Sequence, residues 1–198
     1  VVISTSGMTF SDVVAIARGN AKVTLSAQSV AAMQSSRDHV ESLAASETPV
    51  YGISTGFGAL ANRHIDVADR VKLQKSLIRS HAAGMGAIVE NEVTRALMLL
   101  RLKTLCSGRT GVRPEVAETY AKLLNANITP IVHEFGSLGC SGDLAPLAHC
   151  AMVVMGEGRA FGPELGGRQP TQHPRVFVNF SQPSVQLLAR GRLGQQRN

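Results

Sequence analysis

The segment from Ile88 to Cys106 constrains this chain more than any other. Leu97, Met98, Leu99, Leu100, Leu102 and Leu105 fall on every side of a helix at 3.6 residues per turn. A helix that is apolar all round is stable only when other elements enclose it. The chain is therefore expected to wrap further helices around this one, buried on most sides. The apolar content agrees. Hydrophobic residues make up 44% of the 198-residue chain while aromatics make up only 4%, with no Trp, so Ala, Leu, Val and Met carry the core. That balance favours packed helices over a β-sandwich.

The other helices have recognisable starts and stops. Thr9-Phe10-Ser11-Asp12 opens one, with Val13, Val14, Ile16 and Ala17 on one face and Gly19-Asn20 as its stop. A longer one is expected from Ser26 to Ala45, with Val30, Met33, Val40 and Leu43 inward and Arg37, Asp38 and Glu41 in solvent. Thr48-Pro49 forces extended backbone, and residues 50–61 read as an irregular glycine-rich loop. Helical patterning resumes over Asp66–Ala83, stops at Gly84-Met85-Gly86, and returns from Ile88 to Cys106. Arg113-Pro114 opens the next helix, to about Ala126, with Pro114 suited to the first turn. Ile128–Val132 is short and β-branched, and Asp143–Met155 forms a last helix that tolerates Pro146 near its start. Neither an internal repeat nor a βαβ alternation is visible.

Charge divides the chain in two. The net charge is +6, yet Arg168, Arg175, Arg190, Arg192 and Arg197 all follow Gly166, with no acid among them. Residues 1–165 are nearly balanced and form the expected globular region, whereas 166–198 are a basic tail of weak periodicity. A nucleic-acid partner is therefore not expected from the globular part. The odd trio Cys106, Cys140 and Cys150 has no metal-ligand spacing, which points to reduced thiols, no metal site and a cytoplasmic protein. No signal-peptide pattern opens the chain, and no apolar run approaches a membrane span. The first residue is Val1, so a trimmed or incomplete start is expected.

Unusual chemistry is available at Ser137-Leu138-Gly139-Cys140-Ser141-Gly142-Asp143. Gly142 has no side chain, so its amide nitrogen can approach the carbonyl carbon of Cys140 and close a five-membered ring. Loss of water from the ring, and of the Ser141 hydroxyl with an α-hydrogen, leaves an exocyclic methylene. That carbon is an electrophile, which no standard side chain provides. The N–H groups and dipole of the following helix favour negative charge developing on the ring oxygen. A plainer alternative stands beside this: Ser-Gly-Asp before a helix is a common cap, with Asp143 as the capping side chain.

The longer run decides between them. Gly-Ser-Leu-Gly-Cys-Ser-Gly-Asp-Leu-Ala-Pro-Leu-Ala-His, from Gly136 to His149, resembles the methylideneimidazolone signature of the histidine and phenylalanine ammonia-lyase family. The family usually has Ala-Ser-Gly where this chain has Cys140-Ser141-Gly142. Only the backbone carbonyl of the first residue enters the ring, so Cys140 is compatible with it. Tyr51-Gly52-Ile53-Ser54-Thr55-Gly56-Phe57-Gly58 looks like the family's lid loop, whose tyrosine is the catalytic base. A tyrosine serves as a base only where a positive potential stabilises its phenolate. Gly56-Phe57-Gly58-Ala59-Leu60-Ala61 also fits a dinucleotide fingerprint, but no buried strand precedes it and Ser76 stands where the ribose-binding acid belongs. Ser80-His81 resembles the substrate-contacting pair of the histidine-type enzymes, where phenylalanine and tyrosine types carry pairs ending in Leu. A histidine there can hydrogen-bond an imidazole substrate.

The resemblance runs from about Thr9 to Pro163 and covers the first third of such proteins. It implies a mainly α protein, the N-terminal helical domain of the ammonia-lyase/fumarase-like helical-bundle fold, without most of the central bundle. It implies elimination of ammonia from L-histidine to give trans-urocanate, with Tyr51 as base, Ser80 and His81 at the substrate, and an electrophile from Cys140-Ser141-Gly142. No external cofactor is implied. Family members are homotetramers whose sites draw on several subunits. A tyrosine or phenylalanine ammonia-lyase, an aminomutase, and an inactive helical module with a basic binding tail are the alternatives. The Ile-Asn-Gly-Thr-like stretch expected near residue 198 is absent, so the chain reads either as a fragment of a longer protein or as a truncated or frame-shifted product whose tail, 166–198, is foreign to the fold or disordered. His39 and His64 are expected on exposed surfaces, His149 to pack or cap, and Cys106 and Cys150 in the core. His133 stands where relatives often have Pro.

Overall fold

The computed structural model describes residues 1–137 and 143–162. Helices dominate them: α1 (Phe10–Ala17), α2 (Ala27–Ala45), α3 (Val67–His81), α4 (Asn91–Leu105), α5 (Pro114–Asn125) and α6 (Leu144–Val154). Short strands tie them together, namely β1 (Val2–Ile3), β2 (Thr24–Leu25), β3 (Met85–Ile88), β4 (Thr129–Pro130), β5 (His133–Phe135) and β6 (Ala160–Phe161). The strands pair as β1 with β2 in parallel, and β3 with β5 and β4 with β6 antiparallel.

Helix starts lie where their capping chemistry puts them. Thr9 accepts from the Asp12 amide at 3.2 Å while the Asp12 carboxylate accepts from the Thr9 amide at 3.0 Å, a reciprocal capping box. Ser26 caps α2 through the Ser29 amide, and Pro114 occupies the first turn of α5. Asn20 ends the α1 turn at φ 53°, left-handed backbone that an asparagine tolerates.

The apolar helix α4 is the centre of the core. Met98, Leu99 and Leu102 are fully buried against α1, α5 and β4. Enclosure is less complete than the leucine pattern predicts. Leu100 is 52% exposed, because α1 and α5 cover only part of the α4 circumference. In α1, likewise, Ile16 and Ala17 are buried but Val14 is half-exposed. The stop at Gly84-Met85-Gly86 is in fact the start of β3, and α4 begins three residues later than the pattern places it, at Asn91. The expectation of no βαβ alternation needs one amendment, since β1 and β2 form a two-residue parallel pair bracketing α1.

One buried cation locks this packing. Arg95 in α4 is 3% exposed and donates to the carbonyls of Ile16 at 2.9 Å, Ala17 at 3.3 Å and Leu124 at 3.3 Å. These carbonyls lie in the C-terminal turns of α1 and α5, where a helix runs out of its own donors; that of Leu124 also accepts the Asn127 amide at 3.2 Å. Arg95→Leu should lower stability by about 3 kcal/mol, since three buried acceptors lose a charged donor. Urea unfolding checks this, and a loss below about 1 kcal/mol, the scale of an ordinary surface change, contradicts it.

Candidate active site

Residues 46–66 form a loop braced from within. Ser54 and Thr55 are buried, although both are polar. The Val50 amide donates to Ser54 Oγ at 2.9 Å, and the Gly52 amide donates to Thr55 Oγ1 at 3.3 Å. The returning chain adds bonds from Ile65 N–H to the Ser54 carbonyl and from Gly56 N–H to the Arg63 carbonyl. Tyr51 stands at the tip, 62% exposed, with its ring edge-on to Phe57 at 5.8 Å between centroids. Gly52 has φ 72°, and a side chain there would also press to 3.1 Å on the Phe57 ring. The glycine therefore sets how Tyr51 is presented. Gly56-Phe57-Gly58 leads into a single 3₁₀ turn, Gly58–Leu60, and not into a phosphate-binding helix.

His81 is the last residue of α3. Its Nδ1 lies 2.8 Å from the Leu77 carbonyl, so Nδ1 carries the proton and Nε2 is the ring nitrogen left for a ligand. Ser80 Oγ donates to the same carbonyl at 2.8 Å and lies 3.0 Å from His81 Nδ1. Ser80 thus steadies the imidazole while remaining exposed.

Tyr51 and His81 line one cavity of about 680 Å³. Its walls are mostly apolar, from Leu77 and Ile78 of α3, Val116 of α5, and Leu147 and Ala151 of α6. Leu144, the first residue of α6, is also on the wall. The cavity therefore brings together the lid-loop phenol, the α3 imidazole and the N-terminal turn of α6. Cys140, Ser141 and Gly142, the expected electrophile, lie outside the described residues. Their described flanks are joined: Ser137 Oγ donates to Asp143 Oδ1. Asp143 occupies the N-cap position of α6, but its side chain makes no cap bond. The plain capping role weighed for Asp143 is thus not what its carboxylate does. Inside α6 the first turn carries no acidic side chain, while the Asp143 carboxylate at its N-cap is engaged by Ser137. The N–H groups that open the helix suit a group that develops negative charge, the chemistry that an electrophilic ring formed before α6 would need.

Sequence patterns did not single out two other cavity residues. Arg101 of α4 is the charged side chain among the described lining, and Tyr120 of α5 contributes a buried phenol. Burial pushes the Tyr120 hydroxyl well above the ordinary phenol range, so it stays neutral. Arg101 sits within a leucine run, and a cation interrupting an all-round apolar helix was the available signal. Cys106 and Cys150 are fully buried, and burial raises the Cys150 thiol to about 12, so both behave as core residues. His39 and His64 are exposed as expected.

His149 accepts the Gly84 amide at Nε2 over 3.0 Å, and its ring lies 5.7 Å from that of His133. His133 in turn engages the Gly86 carbonyl through Nδ1 at 3.0 Å. Burial, with the neighbouring His133 as a second cause, holds His149 below its ordinary value of 6.5. A histidine lowered on folding stabilises the fold fully above that ordinary value, and the contribution is lost as pH falls toward the lower folded value. The unfolding midpoint should therefore fall between about pH 7 and pH 5. His149→Gln should flatten that slope, and an unaltered slope in the variant contradicts the assignment.

Comparison with known proteins gives this arrangement a class. Tyrosine aminomutase from Streptomyces globisporus superposes with a TM-score of 0.76 at 39% identity, over 81% of this chain and 30% of that one. Histidine ammonia-lyase from Trypanosoma cruzi superposes with a TM-score of 0.73 at 31% identity, over 81% of this chain and 30% of that one. The fold is thus the helical fold of aromatic amino acid lyases and aminomutases. A family profile described as aromatic amino acid lyase matches residues 8–176, reaching past Gly166. The chain belongs to the aromatic amino acid lyase family. In sequence it is 65% identical over 164 residues to histidine ammonia-lyase of Streptomyces avermitilis, covering 83% of this chain and 32% of that protein. The chain spans about a third of the length of the curated relatives it matches.

Proposed function

We propose that this chain is the N-terminal third of a cytoplasmic histidine ammonia-lyase, which eliminates ammonia from L-histidine to give trans-urocanate. The observation that carries the proposal is the shared cavity, with Tyr51, His81 and the start of α6 on its walls. The likeness to histidine ammonia-lyases at 65% identity supports the substrate.

What a methylideneimidazolone formed from Cys140-Ser141-Gly142 supplies is an electrophilic carbon for the substrate amine. The protein's own groups do the rest. His81 offers Nε2 to the substrate imidazole, because Leu77 already engages Nδ1. Ser80 holds the ring orientation. The Tyr51 oxygen takes the β-proton as the carbon–nitrogen bond breaks and ammonia leaves. Apolar walls keep water from competing at these polar groups. The complete enzyme is a homotetramer, and exposed Val67, Val71, Met85, Leu100 and Phe135 are surfaces that further protein can cover.

A second reading, a tyrosine aminomutase, is favoured by the superposition on that enzyme. Substrate profiling separates the two. Growth of urocanate absorbance with L-histidine is expected, with neither an acrylate nor a β-amino acid formed from phenylalanine or tyrosine; β-tyrosine from L-tyrosine would favour the aminomutase. Turnover of phenylalanine but not histidine would overturn the role given to His81.

A further inference from the structure

We propose that His149 is a positioning residue that fixes the substrate-binding end of α3 against α6. The inference rests on the reading of His81 as a substrate contact.

Helix α3 closes its own end. The Ala82 amide donates to the Ile78 carbonyl at 3.1 Å and the Ala83 amide to the His81 carbonyl at 2.8 Å. Gly84 carries the next amide along the chain, and it reaches across to His149 Nε2 at 3.0 Å. The approach is close enough to favour glycine. A β-carbon on Gly84 would sit 3.0 Å from His149 Nε2 and 3.4 Å from His133 Cβ. Gly136 packs on the other side, where a β-carbon would come within 2.9 Å of Ala145 Cβ and 3.2 Å of Gly84 Cα. Gly84, Gly136, Ala145 and His149 thus form one tight junction. It joins the chain just after His81, the chain just before Ser137, and the first turns of α6. Arg79, two residues before His81, adds a brace to the chain after α6, pairing with both Glu157 oxygens at 2.7 and 2.6 Å.

The His149 bond is the polar, directional contact in this junction. It sets the distance between the imidazole of His81 and the N-terminal end of α6, and so between the part that recognises substrate and the part expected to carry the electrophile. Glutamine tests this well, because its amide oxygen reaches the place of Nε2, while asparagine is one bond shorter. Neither change adds bulk or charge.

The test compares H149Q and H149N in the complete protein by steady-state kinetics with L-histidine, intact mass and amide exchange at His81, Ala83 and Gly84. H149N should raise KM about tenfold, the weight of one buried hydrogen bond, with a smaller change in kcat. H149Q should restore KM, and both variants should keep the parent's mass deficit. Amide exchange should quicken about tenfold in H149N and revert in H149Q. Equal KM and equal exchange in the two variants overturn the proposal, as does a mass deficit lost in H149N alone, which assigns His149 to electrophile formation. If the parent protein turns over no histidine, the proposed function fails. The exchange comparison still judges His149, since it needs no turnover.

Discussion

Ser141→Ala should abolish ammonia release from L-histidine, with a loss of about a thousandfold or more, the scale seen when a covalent catalytic group is removed. Acids, bases and nucleophiles surround the cavity in Tyr51, His81 and Arg101, but no standard side chain there accepts an electron pair on carbon. Without the Ser141 hydroxyl no exocyclic methylene can form. The variant should still fold, because it removes a single oxygen and leaves the α4 core of Met98, Leu99 and Leu102 unchanged in sequence. Circular dichroism and unfolding should therefore match the parent while urocanate formation disappears. Retention of even a tenth of the parent rate contradicts the account.

Tyr51→Phe carries the second largest effect. It removes one oxygen and leaves the ring that packs edge-on against Phe57. Binding of L-histidine through His81 should change little, so KM stays within a few-fold. The loss should fall on kcat, by about a hundredfold to ten-thousandfold, the usual weight of a positioned general base. An isotope effect from β-deuterated histidine should grow as proton removal becomes rate-limiting. A variant whose KM rises while kcat holds would mean that Tyr51 binds substrate and does not take the proton.

Elements with local causes were legible in the sequence. Thr9 and Asp12 mark the start of α1 because a capping box needs only residues three apart. Ser26 and Pro114 mark α2 and α5 for similar reasons. Elements with distant causes were not. Met85–Ile88 is a strand because His133–Phe135 lies beside it, and four residues are too few for a period-two pattern to declare itself. Leu100 reads as core because its helix is apolar all round, yet which side stays open depends on where α1 and α5 pack.

The candidate site divides the same way. Tyr51, Ser80 and His81 stand in contiguous motifs that resemble a family. The contacts that hold them do not. His149 meets Gly84 across 65 positions of chain, and Arg79 meets Glu157 across 78. Arg95, which looks like an ordinary surface charge, is buried because two helix ends converge on it.

Everything proposed for the site depends on Cys140-Ser141-Gly142 closing into an electrophile in this chain. Intact mass spectrometry of the purified protein tests it most directly. The mass should lie two waters below that of the sequence, and Ser141→Ala should restore it apart from the substituted oxygen. A parent protein at its full sequence mass contradicts it.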